Sequence, residues 1–535
     1  MIGSSLISRY TEERWPSLEV SGFSKSEWTF LALFYVATFA LSAYYFTHDP
    51  RAEKFLYPLV VPVLLLLLKK RLFFPILLIT VQISFAFLAI GNAELVFKVT
   101  LGSFLTLLAL GNYTWGFYGF ITAQYFYFIP SYYGYTAEHL LIVACILGML
   151  ARKQEKIEVI DRSNPLNNFL MIFLIWISAG AIWGPTFEDV FIRYFDLAIS
   201  IYVVFRVTLQ IVDREDRLVT SFKVWAISGF VIAFVLVVIP ESSSSGTGSE
   251  VDLHKNWSSS LLNFAIFAVL GLLSLREKIY MWLLMYFMLF TMFLINIVLG
   301  SRAGLGCLGV YVLVYLLVQN PHKSVWKRCF LRFTHYILIL YLVAQIFLVP
   351  LLYVNLFNMT RAVPFPKSLS TIVFRFEQWD FARQIIEDEG NYWVGAGMDA
   401  YSTYYQNYYE SQFGTRQETK YTTPHSLYVA VYVNYGVIGL TLFILCLIVF
   451  FNMMKNHILG TKNDRLRIIS LVIYSSVASY MLHSFFDWSL LDRRLWMFLG
   501  LGVASIVVDR RLNSSKAADD ADGSAQLLTS DMSMN

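Results

Sequence analysis

The run SLYVAVYVNYGVIGLTLFILCLIVFF, from Ser426 to Phe451, decides the fold class: its 26 residues carry no charge, and an α-helix needs only about 20 apolar residues to cross a bilayer. Apolar runs of about this length recur from Glu27 almost to Asp509. Lipid is therefore the solvent for most of the chain. The composition agrees, since 57% of the 535 residues are hydrophobic and 15% are charged, against roughly 25% charge in an average soluble domain. A soluble multidomain enzyme is excluded. The net charge of +4 is small, and the basic residues sit in short clusters between apolar runs, a pattern that orients a membrane protein and does not bind nucleic acid. The four cysteines, Cys145, Cys307, Cys329 and Cys446, are scattered without metal-ligand spacing, so neither disulfides nor zinc is expected. The first 26 residues are polar, and the run after them is long enough to remain in the bilayer, which predicts no cleavable leader.

Apolar windows predict sixteen candidate spans, beginning near residues 28, 56, 72, 94, 114, 137, 167, 188, 218, 258, 280, 302, 333, 426, 468 and 491. With the N-terminus in the cytoplasm, the inside loops collect the basic clusters at Lys69, Arg152, Arg206, Arg276, Lys323 and Lys455. The short outside loops hold only Arg51, Lys54 and Lys255. The positive-inside rule favours this orientation and returns both termini to the cytoplasm. The expected organisation is a cytoplasmic N-terminus over 1–26, an N-terminal transmembrane region over 27–255, a second transmembrane region over 256–508, and a polar, disordered cytoplasmic tail over 509–535.

Two outer stretches interrupt the pattern. Glu241 to Trp257 is rich in Ser and Gly and reads as a mobile loop ending in Asp252-Leu-His-Lys-Asn256. The loop 355–424 is about 70 residues long, a length that usually means function or disorder. Its Trp379, Trp393, Tyr401, Tyr404, Tyr405 and Tyr408 carry more aromatic surface than a disordered segment would. Within it, Arg375, Trp379, Ala382 and Ile386 share one face of a helix expected over residues 370–388, stopping at Gly390.

Three outward basic residues stand out, each at or near a helix end. Arg302 follows Gly300-Ser301 and opens a span, so Ser301 can cap a helix whose free amides and positive dipole end form an anion site. Arginine suits a phosphate there through bidentate hydrogen bonds, although interfacial snorkelling would also explain it. Arg375 lies on the loop helix one turn before Trp379, where a plain surface charge is the simpler reading. His425 follows Thr422-Thr423-Pro424 and opens the next span, in a setting where an imidazole can serve as a base. His483 and Asp487, four apart near the outer end of a span, could position an acceptor or the His425 ring, while Arg493 and Arg494 fall outside against the charge rule. Arg193 and Asp196 could pair on one helix face. Gly395-Ala-Gly397 lacks the third glycine of a dinucleotide fingerprint and reads as a turn, and the Asp520-Ala-Asp522 pair lies in the polar tail.

Four motifs in order then carry a resemblance: Gly-Ser-Arg-Ala-Gly (Gly300 to Gly304), Arg-x-x-x-Trp (Arg375 to Trp379), Gly-x-Gly-x-x-x-Tyr (Gly395 to Tyr401), and His425-Ser426 followed by Gly436 and Gly439. Together, around one large outer loop, they resemble the O-antigen ligase and O-antigen polymerase superfamily over roughly 256–508. The resemblance implies an all-α, polytopic membrane protein of about 12–16 transmembrane helices with one large, partly helical periplasmic loop. It implies a metal-independent, inverting glycosyltransferase in the bacterial inner membrane that needs no cofactor and takes a glycan from an undecaprenyl-diphosphate carrier. Arg302 and Arg375 would bind the diphosphate and His425 would be the general base. Ser301, Trp379, Tyr401, Lys255, His483, Asp487 and Arg493 are further substrate-binding candidates. The expected partners are the lipid-linked donor, a glycan or lipid acceptor, membrane lipids and a regulator of chain length. Asp252-Leu-His-Lys-Asn256 is similar to an element of exopolysaccharide polymerases and favours a polymerase, with an O-antigen ligase acting on lipid A core or protein as the alternative. A lipid-linked oligosaccharide flippase is the competing class. It would line a central cavity with its cations, whereas the notable ones here lie at the outer surface.

Overall fold

A computed structural model of the chain describes residues 113–124, 141–143, 145–146, 164–185, 197–238, 255–275, 279–319, 321–362, 370–389, 391–413, 424–485 and 492–532. The spans expected near residues 28, 56, 72 and 94, and the candidates Arg193, Asp196 and Asp487, lie outside these residues. Among the described residues all regular structure is helical.

The chain divides into two compact units, Met1–Phe120 with Ile129–Lys156, and Ile121–Phe128 with Ile157–Asn535. In the first unit, the Cys145 thiol donates to the Tyr113 carbonyl at 3.6 Å. That carbonyl belongs to the first residue of α1, Tyr113–Ala123.

The second unit holds the rest. α2 (Pro165–Ala179) begins on an Asn164 cap with proline in its first turn, both standard devices for starting a helix. A π-helical turn at Ile199–Val203 leads into α3, Val204–Ile211. α4 (Glu215–Val238) opens with Glu215 and Asp216, acids that favour the positive end of the helix dipole. There follow α5 (Lys255–Ser274), α6 (Ile279–Val298), α7 (Arg302–Val318) and α8 (Val325–Ala362). The loop helices are α9 (Ser370–Glu389) and α10 (Ala400–Phe413). The last three are α11 (Leu427–Gly460), α12 (Asp464–His483) and α13 (Arg493–Met532).

Five of these helices are long and apolar enough to cross a membrane, and four shorter apolar helices accompany them. At 1.5 Å per residue the 20 residues of α12 reach about 30 Å, the thickness of the hydrocarbon layer. α12 is the centre of the bundle, with 89% of its apolar window buried, whereas α6 and α8 have 28%. The outer helices expose Leu283, Phe287, Phe290, Leu340 and Phe347. Large apolar faces of this kind need lipid beside them. The protein is an all-α polytopic membrane protein.

Two expectations are corrected. The loop begins later than residue 355, because α8 continues through Pro350 to Ala362; a membrane helix tolerates proline where the freed backbone group finds another partner. The tail expected to be disordered continues α13 to Met532. Extending an anchored helix needs no new nucleus, and Ala517, Ala518, Ala521, Ala525, Gln526 and Leu527 are good helix formers.

Basic side chains gather at one end of the bundle. There Arg465 pairs with Glu215 at 3.1 Å, Arg467 with Asp464 at 2.5 Å, and Lys327 donates to the Gln319 carbonyl at 2.6 Å. The starts of α7, α11 and α13 lie at the other end, with the loop helices.

Candidate functional site

The α7 start is built on polar groups inside the bundle. Ser301 is extended (φ −75, ψ 94) and its Oγ accepts from the Gly304 amide at 3.2 Å, the capping bond expected of it. A Cβ on Gly304 would stand 2.0 Å from Ser259 Oγ, so only glycine lets α7 lie this close to α5. Asn263 Nδ2 then donates to the Gly304 carbonyl at 3.1 Å. Asn296 Nδ2 donates to Asn263 Oδ1 at 2.7 Å, and Ser259 Oγ to Asn296 Oδ1 at 2.6 Å. Arg302 is exposed at this rim as the first residue of α7.

The loop helix α9 docks on the His425 turn. Trp379, Ala382 and Ile386 are buried, as their shared face requires. Trp379 Nε1 donates to the Pro424 carbonyl at 2.8 Å, and its ring meets Phe485 edge-on at 5.5 Å. His425 follows directly, nearly buried at 9% exposure, with a left-handed φ of 48. Such a backbone costs about 1–3 kcal/mol outside glycine and persists where its surroundings hold it, commonly at functional sites. The surroundings here are the Leu427 amide on the Ser484 carbonyl at 2.9 Å and the Tyr428 hydroxyl on the Met481 carbonyl at 2.8 Å. Arg375, one turn before Trp379, is half-buried and is an electrostatic neighbour of His483.

The glycine motifs explain each other. α11 is broken at Gly436 (φ 66, ψ −170). The amides freed there, of Val437 and Ile438, donate to the Tyr392 and Trp393 carbonyls at 3.0 and 3.2 Å. In return the Ala396 and Gly397 amides donate to the Val433 and Asn434 carbonyls at 2.8 and 3.0 Å. A Cβ on Gly395 would lie 2.5 Å from the Gly436 nitrogen. The turn 391–397 is thus keyed into a broken membrane helix, which leaves Tyr392 and Trp393 exposed beside it at 48% and 69%.

Tyr401 is buried and its hydroxyl donates to Gln378 Oε1, one residue before Trp379. Burial pushes its phenol well above the usual range. Its ring stacks on Tyr405 at 5.9 Å, and Phe381 meets both edge-on. Tyr401 is a strut between α9 and α10. Arg493 turns into the bundle, where Nε donates to Ser200 Oγ on the π-helical turn at 3.1 Å. Arg494 is held by Asp492 through Nε at 2.7 Å and Nη2 at 2.5 Å, and Asp492 also accepts from the Tyr480 hydroxyl at 2.7 Å. Lys255 is the first residue of α5.

The structure therefore ties the helix of Arg375 and Trp379 to Tyr401 and to the turn of His425, places Arg375 near His483, and links His483 to the Ser301–Arg302 start through Asn263. Arg493 reaches Ser200 on the π-helical turn. Sequence reasoning missed Asn263, Asn296, Tyr480 and Asp492. The signal for the asparagines was a polar amide inside an apolar run, which marks a functional or packing position in a membrane.

No curated protein is similar enough to the chain to match it. A family model described as O-Antigen ligase matches residues 287–444. That segment runs from within α6 to within α11 and contains Ser301, Arg302, Arg375, Trp379, Tyr401 and His425, but not Lys255, His483 or Arg493. It supports membrane glycosyltransferase activity of this general type. Over that segment the chain is similar to the O-antigen ligase family.

Proposed function

We propose that the chain transfers a glycan from an undecaprenyl-diphosphate carrier to an acceptor hydroxyl at the periplasmic face of a bacterial inner membrane, as a surface-polysaccharide polymerase. The observation that carries this reading is the 2.8 Å bond from Trp379 to the Pro424 carbonyl, because it ties the helix of Arg375 to the turn of His425. The basic loops at the opposite end of the bundle support the periplasmic orientation.

In the proposed step the acceptor oxygen attacks the anomeric carbon, and the bond from that carbon to the diphosphate oxygen breaks with its electron pair. The acceptor proton passes to the His425 imidazole, typically a ~10² to 10⁴-fold effect. Arg302 and Arg375 take up the charge developing on the diphosphate, and the α7 amides freed at Ser301 add their dipole. A single displacement inverts the anomeric centre and uses no metal. Tyr392 and Trp393, held rigidly by the Gly436 break, offer flat faces to sugar rings. The element at Asp252–Asn256 supports the polymerase over the ligase.

The test is transfer by purified protein from a synthetic undecaprenyl-diphosphate glycan in chelator-containing buffer. Extended glycan on the carrier is expected from the wild type and not from His425→Ala, Arg302→Lys or Arg375→Ala. Turnover retained in His425→Ala removes the general-base role. Product appearing only on lipid A core would assign a ligase instead.

A further inference from the structure

His483 closes α12 where four elements meet. On either side of it the Met481 and Ser484 carbonyls accept from Tyr428 and Leu427, which fixes its position against the start of α11. One turn back, Tyr480 reaches Asp492 and through it Arg494 at the start of α13. Across the interface Asn263 leads to Gly304 and the start of α7. Arg375 on α9 and Arg494 on α13 are its charged neighbours.

The imidazole is 1% exposed and its Nε2 has no hydrogen-bond partner among the described residues. Unused hydrogen-bonding capacity in a dry interior is costly, and each instance calls for an explanation. The surroundings are polar: His483 shares a cleft with Ser260, Asn263, Phe264, Ser476 and Tyr480, too narrow as it stands to admit a water molecule. Hydroxyls and an amide in the cleft, with two arginines as charged neighbours of the ring, form a setting for an anionic oxygen, and a weak one for an apolar chain. The family match ends at residue 444, so it does not speak for this position.

We propose that His483 is a further donor-binding residue, whose Nε2–H hydrogen-bonds a phosphate oxygen of the lipid diphosphate beside Arg375. This rests on the glycosyl-transfer reading above and names a contact within that site. No bond is made or broken by His483 itself. Once the donor opens the cleft, an imidazole at this position would hold the diphosphate from below, while the arginines at the rim neutralise it.

The experiment measures binding of undecaprenyl diphosphate to the full chain in nanodiscs, together with donor KM and kcat. His483→Ala is expected to weaken binding and raise donor KM about tenfold or more, the effect of losing one hydrogen bond to a charged group. The acceptor KM and the melting temperature should stay the same. His483→Gln, whose amide N–H reaches a similar position, should recover most of the binding. Unchanged binding in His483→Ala overturns the proposal, and so does equal loss in the Ala and Gln variants with a lowered melting temperature, which would make the residue structural. Wild-type protein that binds the diphosphate through His483 but transfers nothing counts against glycosyl transfer and leaves this contact standing. Wild-type protein that binds no diphosphate overturns the contact too.

Discussion

Replacing Gly436 with alanine tests whether the outer loop is keyed into α11. Gly436 has φ 66 and ψ −170, a conformation that costs other residues about 1–3 kcal/mol. The new Cβ would stand 2.2 Å from the Trp393 carbonyl oxygen and 2.3 Å from its carbon. Neither atom is the end of a flexible side chain, so the turn has to retreat, and overpacking of this kind costs about 1–3 kcal/mol. Retreat also breaks the Val437 and Ile438 hydrogen bonds to Tyr392 and Trp393, each worth ~1 kcal/mol. The total is about 4–8 kcal/mol, comparable with the whole stability of a typical domain. The control is Gly309→Ala, a helical position where a Cβ meets nothing within 4 Å among the described residues. Thermal unfolding in detergent and limited proteolysis of the turn 391–397 read the outcome. Gly436→Ala should melt earlier and be cut in the turn, whereas Gly309→Ala should match or slightly exceed the wild type. Identical melting and cleavage in the two variants would refute the clamp.

Trp379→Phe keeps the ring contact with Phe485 but removes the bond to the Pro424 carbonyl. Transfer should fall at least tenfold, with a stability loss of only ~1 kcal/mol by thermal unfolding. Asp492→Asn removes the carboxylate paired with Arg494, which is 2% exposed, and should destabilise by about 3–5 kcal/mol. Asp492→Asn with Arg494→Gln should melt closer to the wild type than Asp492→Asn alone. The Tyr404 phenol, held by burial and then by its bond to Glu389, is pushed up to about 12 from 10.0. Folding favours its neutral form, so its contribution to the α9–α10 pair is intact below pH 10 and is lost as pH rises toward 12. Proteolysis of the loop across this range should show the loss in the wild type and not in Tyr404→Phe.

Local chemistry was legible in the sequence. Ser301 caps α7 because a hydroxyl before a helical run meets a free amide within three residues. The α9 face of Trp379, Ala382 and Ile386 is buried as its spacing requires, and the helix ends at Glu389, just before the expected stop at Gly390. What depended on distant partners was not legible. Gly395 and Gly436 were visible as motif glycines, but the reason for them, two backbones in contact, needs both segments at once. Arg493 looked like an outward charge, yet its partner Ser200 comes from a π-helical turn almost 300 residues earlier. The tail's polar composition suggested disorder because composition does not register that an anchored helix propagates cheaply into good helix formers.

The central claim is that Arg302, Arg375 and His425 act on one diphosphate-linked sugar, and an experimental structure of the chain bound to a non-hydrolysable lipid-diphosphate glycan analogue tests it most directly. The account predicts phosphate oxygens within hydrogen-bond reach of both guanidinium groups, with the His425 imidazole facing the anomeric carbon. Arginines opening into separate clefts, or the diphosphate seated at the end of the bundle that carries Lys327 and Arg465, would contradict it.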